Sequence, residues 1–355
     1  MKRNYIYGIL ASLFVVACSS EGTTVPSTDS EAVPITLAAT VEGSATRAGT
    51  AGNIDYSVLA STGYGFGVIA SQLGWTNQQV TYNGPTPAEN PGTVFDYPGS
   101  WTYGGDQKYW NKDASGGPVD FYAYAPYVSS GSGLTGITDV SGTSVTYTIA
   151  TDPDNSVDLL WGVKGTTGLP WTGTTLAQTG GPVLFTFRHA LAAIGVEVKS
   201  NITDFDDYTL TVDKVELEGS FHKTNTLNLN NSSANTPNWE TPSDSESKLT
   251  ITGAQIAANK LLFVIPNATK QKYTLKLSWK VTKGGDDTSK TSTVNINDLD
   301  LLAGTKYHLI LNITLMGVTL DVTATDWTGQ PVPVDVKIEH GTSASESLAP
   351  RKDVR

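Results

Sequence analysis

The chain has 355 residues, which at roughly 100–200 residues per domain predicts two domains behind a short leader. Its formal net charge of -11 argues against nucleic acid as a partner, because a polyanion is repelled by an acidic protein. The only cysteine is Cys18, so the mature domains can form neither an internal disulfide nor a cysteine-based metal site. Short runs of Val, Ile, Leu and Tyr separated by Gly, Pro, Thr, Ser, Asn and Asp predict an all-β fold.

The first 17 residues have the three parts of a secretory signal: Lys2 and Arg3, an apolar stretch from Tyr5 to Val16, and a small residue at the cleavage point. Val15–Cys18 resembles a bacterial lipobox, in which the cysteine is lipidated and becomes the new N-terminus. The alternatives are an ordinary signal peptide with a chance cysteine, or a buried reduced thiol. We expect Cys18 to hold the precursor on outer-membrane lipid, since several acyl chains on one residue give effectively permanent binding.

A strand pattern follows the polar tether, within a predicted propeptide of residues 18–47. One parity of this strand is apolar: Val33, Ile35, Leu37, Ala39 and Val41. The strand runs into a segment of small residues that carries Arg47-Ala48, the kind of loop that a trypsin-like protease cleaves. A cut after Arg47 would remove the strand and its lipid together.

Loss of one strand leaves an apolar groove lined by unpaired backbone N–H and C=O groups, which invites strand addition from another chain. A candidate donor lies near the other end of the sequence, where every second residue is aliphatic: Val332, Val334, Val336 and Ile338. The pattern fits equally well the last strand of the C-terminal domain, and both interpretations stay open.

The body of the chain predicts two β-sandwich domains, at residues 48–182 and 183–340, followed by a polar tail at residues 341–355. The break is placed at Gly180-Gly181-Pro182. Strands are expected at intervals of about 10–15 residues, and one of them has Tyr273, Leu275, Leu277, Trp279 and Val281 on a single face.

No sequence motif for catalysis or a cofactor is present, so we expect no enzyme activity, no catalytic residue, no cofactor and no resident metal. His189 lies in an apolar strand and is interpreted as structural. Asp152–Asn155 and Asp204–Asp207 could offer oxygen ligands to Ca²⁺, but neither has the spacing of a known calcium loop, and solvated turns are the favoured interpretation.

The aromatic content suggests an alternative function, that of a permanently anchored surface lipoprotein that binds glycan. Trp75, Trp101, Trp110 and Trp171 lie in glycine-rich stretches and could form an exposed platform for host or bacterial surface glycans. The competing and favoured interpretation is that they plug the ends of the sandwich.

Several segments together resemble the fimbrillin family, the subunits of type V pili on Gram-negative anaerobes. They are the lipobox, Ala45–Ala48, Phe121–Tyr127, Asp158–Gly162, Phe187–Ala192 and Ala303–Trp327. The resemblance implies two transthyretin-like β-sandwich domains in tandem and an outer-membrane lipoprotein precursor. It also implies an arginine-specific protease as a partner and polymerisation with other pilus subunits into a surface fimbria by strand insertion. The polar tail with Pro350 departs from a strand pattern and leaves the position within a pilus open.

Overall fold

The structure, a computed structural model, describes residues 32–42, 54–60, 65–84, 101–110, 117–129, 136–202, 207–231, 233–242, 244–314 and 316–340. Nearly all regular structure in these ranges is β-strand, which confirms the all-β prediction. The helices of the described ranges are single turns, and none has the length and hydrophobicity of a membrane span.

In the N-terminal half the strands are β1 (Leu37–Val41), β2 (Phe66–Ala70), β3 (Trp75–Tyr82), β4 (Trp101–Tyr103), β5 (Val119–Ala125), β6 (Ile137–Ser141), β7 (Ser144–Thr148), β8 (Leu160–Lys164), β9 (Trp171–Thr174) and β10 (Val183–His189). The C-terminal half has β11 (Ala192–Ser200), β12 (Tyr208–His222), β13 (Thr224–Asn228), β14 (Asn238–Trp239), β15 (Ser245–Thr252), β16 (Leu261–Val264), β17 (Asn267–Lys283), β18 (Asp286–Leu301), β19 (Thr305–Thr314), β20 (Gly317–Asp326), β21 (Pro331–Val332) and β22 (Lys337–His340). The α-helical turns are α1 (Tyr56–Ala60), α2 (Leu176–Thr179) and α3 (Gly253–Ala257).

The N-terminal half forms a sheet that closes on itself, which we call the closed sheet. Its strands follow the order β2-β3-β4-β1-β10-β8-β5, and a further pairing of β5 with β2 completes the ring, while β9 extends from β5. Inward residues of these strands form the first core, which includes Phe66, Phe121 and Phe185. Closure pairs the strand edges that an open sheet would expose.

The C-terminal half packs two five-stranded sheets, with the orders β16-β11-β19-β20-β21 and β15-β12-β17-β18-β22. Strand β17 carries the predicted alternation, because Tyr273, Leu275, Leu277, Trp279 and Val281 are all buried while the residues between them are partly exposed. The inner faces of both sheets belong to a second core, as expected of two sheets packed face to face.

A four-stranded connecting sheet, β14-β13-β7-β6, takes two strands from each half of the sequence. The second core runs through it and reaches Tyr122, Tyr124 and Trp161 on the outer face of the closed sheet. Strand β10 follows the predicted boundary after residue 182 but pairs with β1 and β8 inside the closed sheet. The division after residue 182 stays a prediction, and the packing joins the two sides of it.

Candidate functional site

The N-terminal strand, Val33–Glu42, fills a position inside the closed sheet that we call the slot. Strand β1 pairs in parallel with β10, from Leu37 opposite Val183 to Val41 opposite Phe187, and pairs antiparallel with β4 at Leu37 and Trp101. The strand therefore has a hydrogen-bonded neighbour on each side. It is an internal strand of the sheet, not an edge strand.

Further backbone hydrogen bonds extend the slot beyond β1. The amide of Ile35 donates to the carbonyl of Lys108 at 2.8 Å, and the amide of Trp110 donates to the carbonyl of Val33 at 2.9 Å. At the other end, the amide of Glu42 donates to the carbonyl of Phe187 at 2.8 Å. The strand is thus held along its whole described length.

The predicted apolar face of this strand is largely buried. Ile35 and Leu37 are fully buried, and Ala39 and Val41 nearly so, all within the first core. Val33 departs from the pattern because it is 40% exposed: it precedes the first residue pair with β10, so no strand covers it on that side. The alternation predicted the inward face correctly from Ile35 onward.

Aromatic rings form the floor of the slot. Phe66 contacts three other rings at centroid distances of 5.1 Å to Trp101, 5.8 Å to Phe185 and 5.1 Å to Phe187. Inward residues of β1 and β10 lie side by side, with Ala39 in register with Phe185. A strand in the slot therefore covers a cluster of large apolar rings.

An ion pair marks the C-terminal end of the strand, where Nε of Arg188 lies 2.9 Å from a carboxylate oxygen of Glu42. Cys18, Arg47 and Ala48 lie outside the described residues, so lipidation and cleavage at these positions stay predictions. Along the chain, however, Arg47 follows the end of the buried strand closely.

The candidate donor, Val332–Ile338, belongs to residues 331–340, which we call the C-terminal segment and which lie at the edges of both C-terminal sheets. Val332 is in register with Ala324 of β20, and Ile338 is in register with Ile296 of β18. Its four aliphatic side chains are half-buried against the second core: Val332, Val334, Val336 and Ile338. This arrangement agrees with the interpretation of the segment as the last strand of the C-terminal domain. Its role as a donor strand stays a prediction.

A buried hydrogen-bonded pair lies where three of the resembling segments meet. Nδ1 of His189, at the end of β10, is 2.5 Å from Oδ2 of Asp158, which precedes β8, and both side chains are buried. The indole of Trp327 stacks on the His189 ring with centroids 3.6 Å apart. The hydroxyl of Tyr147 donates a hydrogen bond to the carbonyl of Val157, the residue before Asp158. Burial raises the pKa of Tyr147, and the charge of Asp158 raises it further. His189 is therefore surrounded by buried side chains that hold the end of β10 in place, which agrees with the interpretation of this histidine as structural.

Sequence reasoning identified His189 but not its partner. Asp158 and His189 are 31 positions apart, and only the pairing of β8 with β10 brings them together. The sequence does place Asp158 within an apolar run. Because carboxylates are seldom buried without a partner, this position could have indicated a buried polar contact.

The first candidate calcium loop has its carboxylates engaged by the protein itself. The side-chain amide of Gln255 donates to Asp152 at 2.7 Å and to Asp154 at 2.8 Å, and Lys260 lies 3.2 Å from Asp154. Among the described residues no group of three or more His, Cys, Asp or Glu side chains could hold a metal ion. Most of Asp204–Asp207 lies outside those residues.

The four suspected tryptophans are buried in the first core, which confirms the packing interpretation: Trp75, Trp101, Trp110 and Trp171. None of the four offers an exposed platform for a glycan in this structure.

These features define an all-β protein in which an N-terminal strand completes a closed sheet. The model of the fimbrillin-like family matches residues 46–327, and the chain belongs to that family. Membership supports a role as a fimbrial or adhesive subunit at the cell surface.

A solved structure shows the same fold. A fimbrial protein from Bacteroides vulgatus matches at 18% identity with a TM-score of 0.56, over 82% of this chain and 99% of that one. A proposed cell adhesion protein from Bacteroides uniformis matches at 18% identity with a TM-score of 0.48, over 83% of this chain and 99% of that one. No curated protein matches the chain.

Proposed function

We propose that the chain is a structural subunit of a surface pilus, exported as a lipoprotein on Cys18, matured by cleavage after Arg47 and polymerised by strand complementation. The observation that carries this proposal is the internal position of the N-terminal strand, with β4 on one side and β10 on the other. A disordered spacer in its place would have left nothing to complement. The family match begins at residue 46, beside the proposed cut.

Cleavage after Arg47 would leave the strand attached only by non-covalent contacts. Its departure would open the backbone ladder of β10 and uncover the rings of Phe185, Phe187 and Trp101. Exposed apolar surface of this kind, next to an unpaired strand edge, favours the addition of a strand from another chain.

The energetics favour exchange over simple dissociation. Fully burying an aliphatic side chain is worth about 1.5–3 kcal/mol, so Ile35 and Leu37 alone hold the strand firmly in place. An incoming strand that restores these contacts and the backbone hydrogen bonds loses little free energy relative to the precursor. Assembly should therefore proceed by displacement of the cleaved strand.

The precursor itself provides the test. Purified precursor treated with an arginine-specific protease should give a new N-terminus at Ala48 and then enter polymers visible by electron microscopy when the other pilus subunits are supplied. Arg47→Lys keeps the charge but removes the target of the protease, so this variant should keep its strand and stay unpolymerised. Arg351→Lys, in the polar tail, is the matched control and should mature as the wild type does.

Two results would contradict the proposal. One is an N-terminus other than Ala48 on protein isolated from pili. The other is polymerisation of Arg47→Lys at the wild-type rate, since the slot would then be open without cleavage after Arg47.

A further inference from the structure

The side chain in the slot at position 39 is small, and its surroundings account for this. Ala39 is in register with Phe185, and both side chains face the first core. On the other side of β10, the next strand carries Gly162, where an added Cβ would lie 3.1 Å from the Phe185 ring and 2.8 Å from Cβ of Ala123. Cβ of Ala123 and the phenylalanine ring thus together occupy the space that a side chain at position 162 would need, so the ring has no free space on that side.

Phe185 is also confined by the other rings of the floor. Its centroid lies 5.8 Å from that of Phe66 and 6.1 Å from that of Phe187. A ring held in this way cannot shift to make room for a larger neighbour in the slot without displacing others. Because protein interiors are close-packed, adding even two methyl groups to a buried side chain lowers the stability of the fold.

The chain's own candidate donor does not match this shape. Its inward residues are three valines and an isoleucine: Val332, Val334, Val336 and Ile338. Aligned with Ile35, Leu37, Ala39 and Val41, the segment places Val336 at the Ala39 position if it runs in the direction of β1. It places Val334 there if it runs in the opposite direction. Either way a β-branched residue meets Phe185.

Resting on the proposed strand complementation, we infer that the slot selects a donor strand with Ala, Gly or Ser at the inward position next to Phe185. The slot therefore discriminates against the C-terminal segment of this chain. The partner that fits is a strand of a different subunit whose inward residues follow the pattern large, large, small, branched. The chain then joins a heteropolymer more readily than it joins copies of itself.

A graft within the full-length precursor tests the shape of the slot directly. The triple variant Ile35→Val, Leu37→Val, Val41→Ile gives the N-terminal strand the inward face of the C-terminal segment, apart from the retained Ala39. The quadruple variant adds Ala39→Val. Overpacking of a filled core predicts that this last change lowers the folding equilibrium constant roughly 5- to 150-fold relative to the triple variant in urea unfolding.

Thr36→Val provides the control, because this position of the same strand is exposed. Valine there should leave the folding equilibrium constant nearly unchanged. Equal stability of the triple and quadruple variants would overturn the inference, since the slot would then accept valine next to Phe185.

Peptide competition on the cleaved protein separates this inference from the proposed function. A labelled peptide of residues 33–42 should bind the matured chain, and a peptide of residues 331–340 should compete weakly. Val336→Ala or Val334→Ala in the 331–340 peptide should strengthen its competition roughly 5- to 150-fold. An effect of Val336→Ala indicates that the donor runs in the direction of β1, and an effect of Val334→Ala indicates the opposite direction. Equal competition by all three 331–340 peptides would defeat the inference alone. Failure of the 33–42 peptide to bind would defeat strand complementation and this inference with it.

Discussion

The N-terminal strand and the C-terminal segment have nearly the same sequence pattern but different places in the fold. Both alternate aliphatic and polar residues, yet Ile35 and Leu37 are fully buried while Val334 and Val336 are only half-buried. The first lies between two strands, and each part of the second has one hydrogen-bonded neighbour. Alternation determines which face is apolar, whereas the number of neighbouring strands determines how completely that face is buried.

The same difference separates what each segment does for the molecule. Removal of an internal strand opens a ring and uncovers core aromatic residues. Removal of an edge segment shortens two sheets that otherwise remain paired. Three predictions test this contrast, beginning with the largest expected effect.

The slot depends on β10, and β10 ends at the buried pair of His189 and Asp158. His189→Ala should destabilise the precursor by about 3–5 kcal/mol, because it leaves the Asp158 side chain buried without its hydrogen-bond partner and removes the ring on which Trp327 stacks. Chemical denaturation measures this loss. Lys199→Ala, which breaks an exposed pair with Glu197, is the control and should cost about 0–1 kcal/mol. A loss for His189→Ala no larger than that of the control would show that the pair does not anchor β10.

Truncation of one side chain in each segment compares the two places directly. Leu37→Ala should cost about 2–5 kcal/mol, because it creates a cavity in the first core. Val334→Ala should cost about 1 kcal/mol, since only part of its side chain is removed from water. Urea unfolding of the two variants beside wild type gives both values. Equal losses would mean that the C-terminal segment is as firmly held as the N-terminal strand.

The smallest expected effect is pH dependence at the C-terminal edge. Nζ of Lys270 lies 2.7 Å from Asp335, and Nζ of Lys337 lies 2.9 Å from Asp298. These hydrogen bonds lower the pKa of each carboxyl group and raise the pKa of each lysine. Docking of the segment should therefore be strongest between roughly pH 4 and pH 10, weakening as acid protonates the carboxylates and as base deprotonates the lysines.

Hydrogen exchange of residues 331–340 as a function of pH measures this effect. Protection should fall below about pH 4 and respond to salt, because exposed ion pairs are screened. Lys337→Gln should remove part of the pH dependence, whereas Lys199→Gln should not. Protection that stays constant from pH 3 to pH 7 in the wild type would show that the pairs do not hold the segment.

Local pattern was enough to predict the strands and the buried face of the N-terminal strand. Apolar residues at every second position indicate which side chains are buried: Ile35, Leu37, Ala39 and Val41. This pattern can be recognised from a short stretch of sequence alone. The parallel pairing of β1 with β10 joins residues 37 and 183, and no local feature reports a contact over that distance.

The unpredicted features all depend on packing between distant segments. The connecting sheet joins β7 to β13 across the predicted boundary, because Val145 and Leu227 complete a core that neither half covers alone. The role of Ala39 likewise depends on Phe185 and on Gly162 beyond it, and so could be recognised only in the folded chain.

The place of the slot inside a ring of strands also has a mechanical consequence. Hydrogen bonds from β1 to β10 and β4 run largely across the strand axis, so tension along the strand would load them together, in shear. The C-terminal segment has separate short ladders to β20 and β18, which tension would peel one after the other. A filament joined through the slot would therefore resist pulling better at its joints than along the outer edge of its subunits.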